Sequence, residues 1–404
     1  MNIMYLTINN MVNLEGTNIH SGLIKEFISH GHYVTIISPI QKRQDTPDNI
    51  IKGKGYEIHK PHIGNITNTG FLEKGISAIG AGKKINRYIS KMLPKAKIDL
   101  LVLTVPPVTY DDVVQYVRKK YHSKVYLLLK DFWPASLFDV DVRGGNIVKR
   151  MACFYLRCHE KSLYSNSDFI GCMSEANVKY LLEHNDYISK DKVHVNPNVI
   201  TVKEYKKIDV STRTKIREKY GIPLDKTCFI YGGTLGVGQN VKHIAACMRA
   251  CKDLDCHFII AGQGVQYHYL EEYVNKEKPK NFTLFKWLPQ EEYELLMRSC
   301  DVGMVFLRYT AQTPNIPSRI LTYMSYGLPI VSCTDPVTDL KEILVKGEFG
   351  TGCLSDDPSN FREMIVKMIA NPRLLDMGEK ARLALEREYC PNVGYNTIIK
   401  CYDK

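Results

Sequence analysis

The chain has 404 residues, of which 44% are hydrophobic and 24% are charged, and its formal net charge at pH 7 is +11. This composition excludes a disordered chain, and no apolar run reaches the roughly 18 residues of a membrane-spanning helix. The length favours two domains. The first residues lack a basic stretch ahead of an apolar one, so we expect no secretory signal and a cytoplasmic protein.

The first half alternates apolar strands with amphipathic helices. Strands are predicted at 3–6, 33–37, 100–103, 125–129 and 169–172, with a polar loop at 9–17 and a helix at 19–29. Continuous apolar strands separated by helices indicate a parallel sheet covered by helices.

The same pattern restarts after residues 193–198 and a polar stretch at 203–217. Further strands are predicted at 228–231, 257–260, 283–285, 302–306 and 330–332. Two doubly wound α/β units in series are the simplest account. We predict an N-terminal domain at 1–200, a C-terminal domain at 201–385, and a final helix at 386–404 that crosses back to the first domain.

The 12 cysteines contain no C-x-x-C pair, and the 12 histidines contain no H-x-x-x-H pair. We therefore expect free thiols that pack as small apolar side chains in a reducing cytosol, and no structural zinc site. The positive net charge attracts polyanions in general, which include nucleic acid, an anionic membrane surface and phosphorylated ligands.

A glycine-rich run from Gly232 to Gly238 follows a strand and precedes a helix. Glycines at such a position let the backbone approach a phosphate, and the amide groups at a helix start favour an anion. The spacing is neither that of a dinucleotide fingerprint nor that of a P-loop. A plain tight turn therefore stays as the alternative to a phosphate site.

A second segment, Pro317-Ser318-Arg319, begins a short helix that ends at Gly327. Proline suits the first helical turn, and arginine offers a planar cationic fork that matches phosphate oxygens. The alternative is a capped helix with one surface arginine.

The run P-S-R-I-L-x-Y-M-x-x-G-x-P-I-V at 317–331 resembles the signature helix of family 4 retaining glycosyltransferases, also called group 1. That family has the GT-B fold, in which two Rossmann-like doubly wound domains face each other across a cleft. The likeness extends over nearly the whole chain and includes Gly31 to Thr35, Asn196-Pro197-Asn198, Trp287 to Asp301, Gly350-Thr351-Gly352 and Arg382.

Two stretches resemble one branch of the family. Lys130 to Ser136 resembles the "RDLWPES" element of O-antigen and capsule transferases, including those for N-acetylfucosamine, and Gly233 to Gln239 resembles their "GNIGxxQ" loop. The resemblance implies transfer of a hexosyl or N-acetylhexosaminyl group, with UDP as the expected nucleotide, to a saccharide or lipid-linked acceptor in surface polysaccharide synthesis.

The resemblance also assigns roles to residues. Donor contacts are expected from Gly233, Thr234, Gln239, Leu288, Ser318, Arg319 and Thr322. Asp131 and Arg319 are the expected catalytic residues, and Gly16, Thr17 and Trp133 the expected acceptor contacts. Asp131 has the alternative role of a helix cap or a partner for Lys130, and Trp133 that of a core residue.

One departure from the family pattern concerns two glutamates, whose positions are occupied by Pro314 and Thr322. In the family the second glutamate binds the ribose hydroxyls. A charged hydrogen bond contributes roughly 1.5–3 kcal/mol and a neutral one about 0.5–1.5 kcal/mol. Thr322 is therefore expected to bind the donor more weakly, unless another residue substitutes.

The resemblance implies that the donor's own phosphate oxygen accepts the acceptor proton, with stabilisation of the leaving diphosphate by cationic and amide groups. We expect no metal requirement and no cofactor. Two D-x-D triplets, at Asp139 to Asp141 and Asp253 to Asp255, are explained better by chance than as metal ligands.

Residues 74–97 carry seven basic side chains and no acidic one, with apolar residues at approximately helical spacing. Contact with anionic lipid headgroups on the inner face of the plasma membrane is one interpretation. A solvated basic face over a packed apolar stripe is the other.

Three rival functions stay open. A nucleotide-sugar 2-epimerase of the same fold needs one sugar substrate only, and Thr322 leaves room for a catalytically silent scaffold. A nucleic-acid-binding protein is disfavoured because the sequence shows no aromatic-basic motif or recognition helix.

Overall fold

The computed structural model describes residues 1–16, 19–44, 50–66, 71–138, 147–205 and 207–403. The chain divides into two compact units, the first formed by Met1–Thr201 with Tyr389–Lys404 and the second by Val202–Glu388. The domain boundaries were predicted at 200 and 385, and the units of the structure end at 201 and 388. Thr17 lies outside the described residues, as do Asp139 and Asp141 of the first D-x-D triplet.

The first unit contains ten strands and seven helices in its described part. In chain order they are β1 Asn2–Leu6, α1 Ile19–Ser29, β2 Tyr33–Ile37, β3 Ile40–Gln41, β4 Ile50–Gly53, β5 Tyr56–His59, β6 His62–Ile63, α2 Phe71–Met92, β7 Leu100–Val105, α3 Asp111–Tyr121, β8 Lys124–Leu129, α4 Ala135–Phe138, α5 Ile147–Ser165, β9 Phe169–Cys172, α6 Glu175–His184 and β10 Val193–Val195, with the last helix of the chain, α15 Pro391–Tyr402, returning to this unit.

The second unit alternates strands and helices more regularly. Its elements are α7 Val210–Lys219, β11 Thr227–Gly232, α8 Val241–Ala250, β12 Cys256–Ala261, α9 His268–Glu277, β13 Phe282–Phe285, α10 Gln290–Arg298, β14 Val302–Phe306, α11 Arg319–Ser325, β15 Ile330–Thr334, α12 Leu340–Lys346, β16 Gly350–Leu354, α13 Pro358–Ile369 and α14 Leu374–Glu388.

The large sheet of the first unit has the order β10-β9-β8-β7-β1-β2-β5-β4, and every neighbouring pair is parallel except β4 with β5. Successive side chains of its strands enter two different hydrophobic clusters, so Ile3 and Tyr5 pack on one face while Met4 and Leu6 pack on the other. Burial on both faces explains why these strands are continuous apolar runs.

The sheet of the second unit has the order β13-β12-β11-β14-β15-β16, with all pairs parallel. The strand order reverses beside β11, because β12 lies on one side of it and β14 on the other. Ligands bind outside the carboxyl ends of parallel strands at such a point. The prediction of doubly wound α/β units with parallel sheets is confirmed.

Asp301, which ends one of the stretches that resemble the family, lies at the amino end of a strand. It precedes β14 and accepts the backbone N–H of Cys228 at the start of β11, which puts it at the amino edge of the sheet. Its two carboxylate oxygens pair with Arg213 at 2.6 Å and with the buried Arg217 at 2.8 Å. Asp301 therefore ties α7 to the sheet.

The C-terminal helix α15 packs against α1, and Ile398 is buried in a core cluster of the first unit. The backbone N–H of Ile200 donates to the carbonyl of Tyr389, which joins the two crossing segments. All 12 cysteines are free, as the sequence predicted. No helix in the described part of the chain combines the length and the hydropathy that crossing a bilayer requires.

Candidate functional site

The glycine-rich loop after β11 packs on a second glycine-containing turn after β12. The backbone N–H of Gly233 donates to Ala261 at 2.9 Å, and that of Leu235 donates to Gln263 at 2.9 Å. A Cβ at Gly262 would lie 2.0 Å from the carbonyl oxygen of Gly233, so the two loops meet backbone to backbone. This contact fixes the loop at the carboxyl edge of the sheet.

The sequence suggested that this loop leads directly into a helix. In the structure it does not lead directly into α8. A 3-10 turn, Val237–Gln239, and a left-handed residue, Asn240, intervene before the helix begins. The side-chain Oε1 of Gln239 accepts the backbone N–H of Gly236 at 3.2 Å. Gln239 therefore holds the shape of the loop through a bond within the loop itself.

Gly233 touches the guanidinium of Arg319. The φ of Gly233 is +138°, and a Cβ added there would lie 2.6 Å from the Nη2 atom of Arg319. Both the backbone conformation and the space exclude a side chain. The loop from β11 and the first residue of α11 thus meet at one point, and these are two of the segments from which donor contacts were expected.

Three tyrosines surround Arg319. Its guanidinium stacks 4.1 Å from the ring centroid of Tyr231, and burial opposes the charge while Tyr231, Tyr323 and Tyr293 raise the pKa of Arg319. Burial raises the pKa of Tyr323 to about 12 and that of Tyr293 well above its ordinary value, so both phenols are neutral at pH 7.

One nitrogen of this arginine lacks a partner. The Nη1 atom of Arg319 is buried and makes no hydrogen bond to any described residue. A buried N–H of a charged group without an acceptor costs free energy, and such a group is one that a ligand oxygen satisfies. In the glycine-rich loop, Thr234 is exposed and its backbone N–H has no partner in the described part of the chain.

A cavity of about 570 Å³ opens beside this loop. Its lining residues come from the two glycine loops and from the segment after β13: Gly232, Gly233, Thr234, Ala261, Gly262, Gln263, Lys286, Trp287, Leu288, Gln290 and Tyr293. Its volume is that of an ordinary small-ligand site. A second cavity, of about 610 Å³, follows the edge strand β16, and its lining includes none of the predicted site residues.

The structure thus brings Gly233, Thr234 and Leu288 together on one cavity wall, with Arg319 against Gly233. The cavity lining does not include Ser318 or Thr322. Ser318 is the exposed N-cap residue of α11 and makes no side-chain capping bond, and Thr322 is half-buried within that helix.

Arg382, which fits the family pattern, has a structural role. It donates to the carbonyl of Ser325 at 2.9 Å and to that of Lys203 at 2.7 Å, so it ties the linker to the end of α11.

The predicted acceptor residues belong to the first unit. Asp131 follows β8 and is half-buried, and Trp133 packs partly buried against a core cluster. Gly16 is exposed in the loop after β1, where its carbonyl accepts the hydroxyl of Ser21. Because β1 and β8 flank β7 in a parallel sheet, these loops leave the same edge.

A buried cation that the sequence reasoning did not select lies beside Asp131. Burial lowers the pKa of Lys130 to about 8, and its Nζ lies 3.4 Å from the carbonyl oxygen of Pro197. Burial and the nearby Lys130 lower the pKa of His20 to about 4. His20 lies in the first turn of α1, just beyond the Gly16 loop, so the charge of Lys130 acts on both predicted acceptor segments.

The second D-x-D triplet is bound within the protein. Both carboxylate oxygens of Asp253 accept from the guanidinium of Arg362, at 2.5 and 2.8 Å, and Asp255 pairs with Lys226. These ion pairs account for the two aspartates.

Comparison with known proteins shows a similarity to one family over part of the chain. Residues 212–384, nearly the whole second unit, match the family model described as glycosyl transferases group 1. The match supports the group 1 glycosyltransferase family. An uncharacterized glycosyltransferase of Methanocaldococcus jannaschii is 25% identical over 149 residues, which are 36% of this chain and 39% of that protein. The chain therefore aligns with well under two thirds of that relative.

Solved structures match the full chain at low identity. Sucrose-phosphate synthase from Thermosynechococcus elongatus superposes with a TM-score of 0.74 at 12% identity, covering 100% of this chain and 98% of that one. The Anabaena protein HepE, solved in complex with UDP, gives a TM-score of 0.65 at 11% identity and covers 100% of both chains. The chain therefore has the GT-B fold of such glycosyltransferases.

The sequence reasoning missed the residues that form most of the cavity wall. Gly262, Gln263 and Tyr293 line the cavity and were not predicted to be site residues. The A-G-Q-G run at 261–264 carried a usable signal, because it follows the strand next to β11. Tyr293 carried none, since α10 is far from β11 in sequence.

Proposed function

We propose that this protein is a retaining glycosyltransferase that moves a sugar from a UDP-sugar to a saccharide or lipid-linked acceptor in surface polysaccharide synthesis. The observation that carries the proposal is the buried, unpartnered Nη1 of Arg319, whose guanidinium packs against Gly233 in the lining of a ligand-sized cavity. A donor diphosphate supplies the oxygen that this nitrogen lacks. Charge-assisted bonds to phosphate are strong, and the arginine fork matches their geometry.

In this proposal the diphosphate and the base of the nucleotide bind at two different ends of the cavity. The diphosphate lies at Gly233 and Thr234, where a free amide and the arginine charge meet, and the base lies at Trp287 and Leu288. The indole of Trp287 is 65% exposed and offers a face for stacking. The UDP bound to the Anabaena protein supports the choice of base.

A carboxylate close to the cavity takes the role of the family glutamate whose position is occupied by Thr322. The amide of Gln290, which lines the cavity, donates to Glu294 at 3.0 Å, and the hydroxyl of Tyr326 donates to the other oxygen of Glu294 at 2.9 Å. Two bonds hold this carboxylate in place. We assign to Glu294 the binding of the ribose hydroxyls.

In the transfer step the acceptor oxygen forms a bond to the anomeric carbon while the bond from that carbon to the β-phosphate oxygen breaks. The acceptor proton passes to a phosphate oxygen on the same face, so the configuration is retained. Arg319 stabilises the charge that develops on the diphosphate, and Asp131 positions the acceptor hydroxyl. Lys130 keeps positive charge beside Asp131 at neutral pH.

The reaction proceeds without a divalent ion. Arg319 supplies the charge compensation, and the described D-x-D triplet is occupied by Arg362 and Lys226. Transfer is expected to continue in the presence of a chelator. Loss of turnover with a chelator, followed by recovery with Mn²⁺, would refute metal independence.

The segment at 74–97 was predicted either to contact lipid headgroups or to form a solvated basic face over a packed apolar stripe. Lys83, Lys84 and Arg87 of α2 are exposed, but the apolar residues Ile85 and Ile89 are buried in the core. These two members of the apolar stripe are therefore not available to lipid, whereas Ile79 and Met92 of the same helix are 47% and 40% exposed. The basic face alone does not insert.

Helix α5 supplies the apolar surface. Ile147, Met151 and Phe154 recur at helical spacing and are 72%, 67% and 72% exposed, with Lys149 and Arg150 between them. Helices α2 and α5 both pack against α3. We infer that α5 inserts into an anionic membrane whose headgroups the basic side chains attract.

Two experiments test the function. A thermal-shift screen with UDP, GDP and dTDP should show stabilisation by UDP, which amounts to roughly 2.7 kcal/mol at 100-fold its dissociation constant. Stabilisation by none of the three would refute the donor site. Release of UDP that requires an acceptor separates a transferase from an epimerase, and UDP binding without any release would indicate a silent scaffold.

Membrane contact is tested by co-sedimentation with vesicles that contain phosphatidylglycerol. The double variant Met151→Glu/Phe154→Glu should lose binding, whereas Leu375→Glu, at an equally exposed leucine of the second unit, should keep it. Reversal of charge at Lys83, Lys84 and Arg87 should weaken binding at low salt. Unchanged binding in both sets of variants would exclude this surface.

A further inference from the structure

Three side chains with metal-binding atoms meet in the second unit, outside the proposed donor cavity. His243 and Cys247 are one turn apart on α8, and Cys333 lies on β15. The Nε2 atom of His243 is 3.3 Å from the sulfur of Cys247 and 3.7 Å from that of Cys333. The three ligand atoms all lie within 4.8 Å of one another.

A further thiol lies next to this cluster. Cys353 on β16 stands opposite Cys333 in the parallel register, and the two thiols are hydrogen-bonded. The three atoms that lie close together come from α8 and β15, and Cys353 is the candidate for a fourth ligand.

The distances between these atoms match those between the ligands of a tetrahedrally coordinated ion. Zinc bonds of about 2.0–2.1 Å to imidazole and about 2.3 Å to thiolate place nitrogen and sulfur about 3.6 Å apart around one ion. The observed separations of 3.3 and 3.7 Å lie on either side of that value. We propose that His243, Cys247, Cys333 and Cys353 bind Zn²⁺, a soft-ligand site with no part in sugar transfer.

The chemistry of the donor set agrees with this assignment. Thiolate and imidazole select zinc over the hard ions Mg²⁺ and Mn²⁺. A thiol must lose its proton to bind zinc, so metal binding at this site is expected to release protons.

The ion would link the glycine loop to the far half of its sheet. Helix α8 begins just after that loop, and β15 and β16 form the opposite edge of the sheet from β13. The sequence predicted no zinc site, since His243 and Cys333 are 90 residues apart and no C-x-x-C pair marks them. Only the fold joins them.

The test uses the full-length chain, reduced and stripped of metal, and titrated with Co²⁺ alone. We expect one equivalent to bind with a thiolate-to-cobalt charge-transfer band, to be displaced by Zn²⁺ but not by Mn²⁺, and to release about two or three protons per ion. A chain that is folded, as shown by UDP binding or circular dichroism, yet gives no such band would overturn the proposal.

Variants locate the site. Cys333→Ser and Cys247→Ser should weaken Co²⁺ binding at least about tenfold and reduce the charge-transfer band. Cys251→Ser, at a buried cysteine near the end of the same helix, should leave both unchanged. His243→Gln alters a half-exposed side chain and should weaken binding without loss of the fold, so native affinity in that variant would overturn the assignment. The readout is spectroscopic and independent of transfer activity.

Discussion

Replacement of Gly233 by alanine is the sharpest test of the donor site, because the structure gives two separate reasons for its effect. A Cβ at this position would lie 2.6 Å from the Nη2 atom of Arg319, well inside the 3.4 Å at which ordinary contact begins. The φ of +138° also lies in a region that side chains rarely adopt. The arginine must move, or the loop must.

The expected magnitude follows from what Arg319 contributes to a bound diphosphate. Loss of one charge-assisted hydrogen bond costs about 1.5–3 kcal/mol, and each 1.4 kcal/mol is a factor of ten in affinity. The dissociation constant of UDP should therefore rise about 10- to 150-fold in Gly233→Ala. Backbone strain of about 1–3 kcal/mol should lower the free energy of unfolding as well.

The assay is isothermal titration with UDP, with urea unfolding of the same preparations. Gly238→Ala is the matched control, because it lies in the same loop and a Cβ there meets nothing within 4 Å. That variant should bind UDP as the native chain does. A folded Gly233→Ala protein that binds UDP within twofold of native would show that this contact does not form the diphosphate site.

Three further predictions concern charge and protonation. Glu294→Gln should weaken UDP binding about tenfold but leave binding of the 2′,3′-dideoxy nucleotide unchanged. The control Glu291→Gln, at an exposed position of the same helix, should change the binding of neither nucleotide. Titration with both nucleotides measures these effects. Burial lowers the pKa of Lys130 to about 8, so kcat/KM should fall as pH rises through 8, and Lys130→Arg should move that fall beyond pH 10 in a pH profile of UDP release. Burial lowers the pKa values of His20 and His257 from 6.5 to about 4, so the unfolded chain binds more protons below pH 6.5. Each histidine should lower the free energy of unfolding by roughly 3 kcal/mol as pH falls from 6.5 to 4. In His20→Gln, urea unfolding should show a smaller decrease of that free energy over the same pH range.

The fold was predictable because both faces of its strands are buried. Residues 33–37 and 302–306 were predicted as strands and have those bounds, and the helix predicted at 19–29 is α1. The strand β16, Gly350–Leu354, was not predicted, since three small or polar residues begin it and the next residues are half-exposed. An edge strand lacks the apolar pattern by which central strands are found.

The site was predictable where sterics forbid other residues and unpredictable where side chains meet through the fold. Gly233 and Arg319 were identified in sequence, the one as part of a loop and the other within a helix signature. That Arg319 packs on Tyr231 and leaves Nη1 unpartnered depends on a contact across 88 residues, which no local pattern encodes. The missing glutamate at Thr322 was visible, whereas the position of Glu294, which we propose in its place, depends on the packing of α10.

The proposed donor half of the site consists largely of backbone and glycine. In that proposal the amide of Thr234 and the fork of Arg319 contact only phosphate, which every nucleotide diphosphate carries, so we expect them to bind all donors alike. Discrimination between bases must then come from Lys286, Trp287 and Leu288, the side chains at the other end of the cavity. Substitutions there should change which nucleotide binds without altering the contribution of the diphosphate, whereas a change at Gly233 should weaken UDP, GDP and dTDP by the same factor.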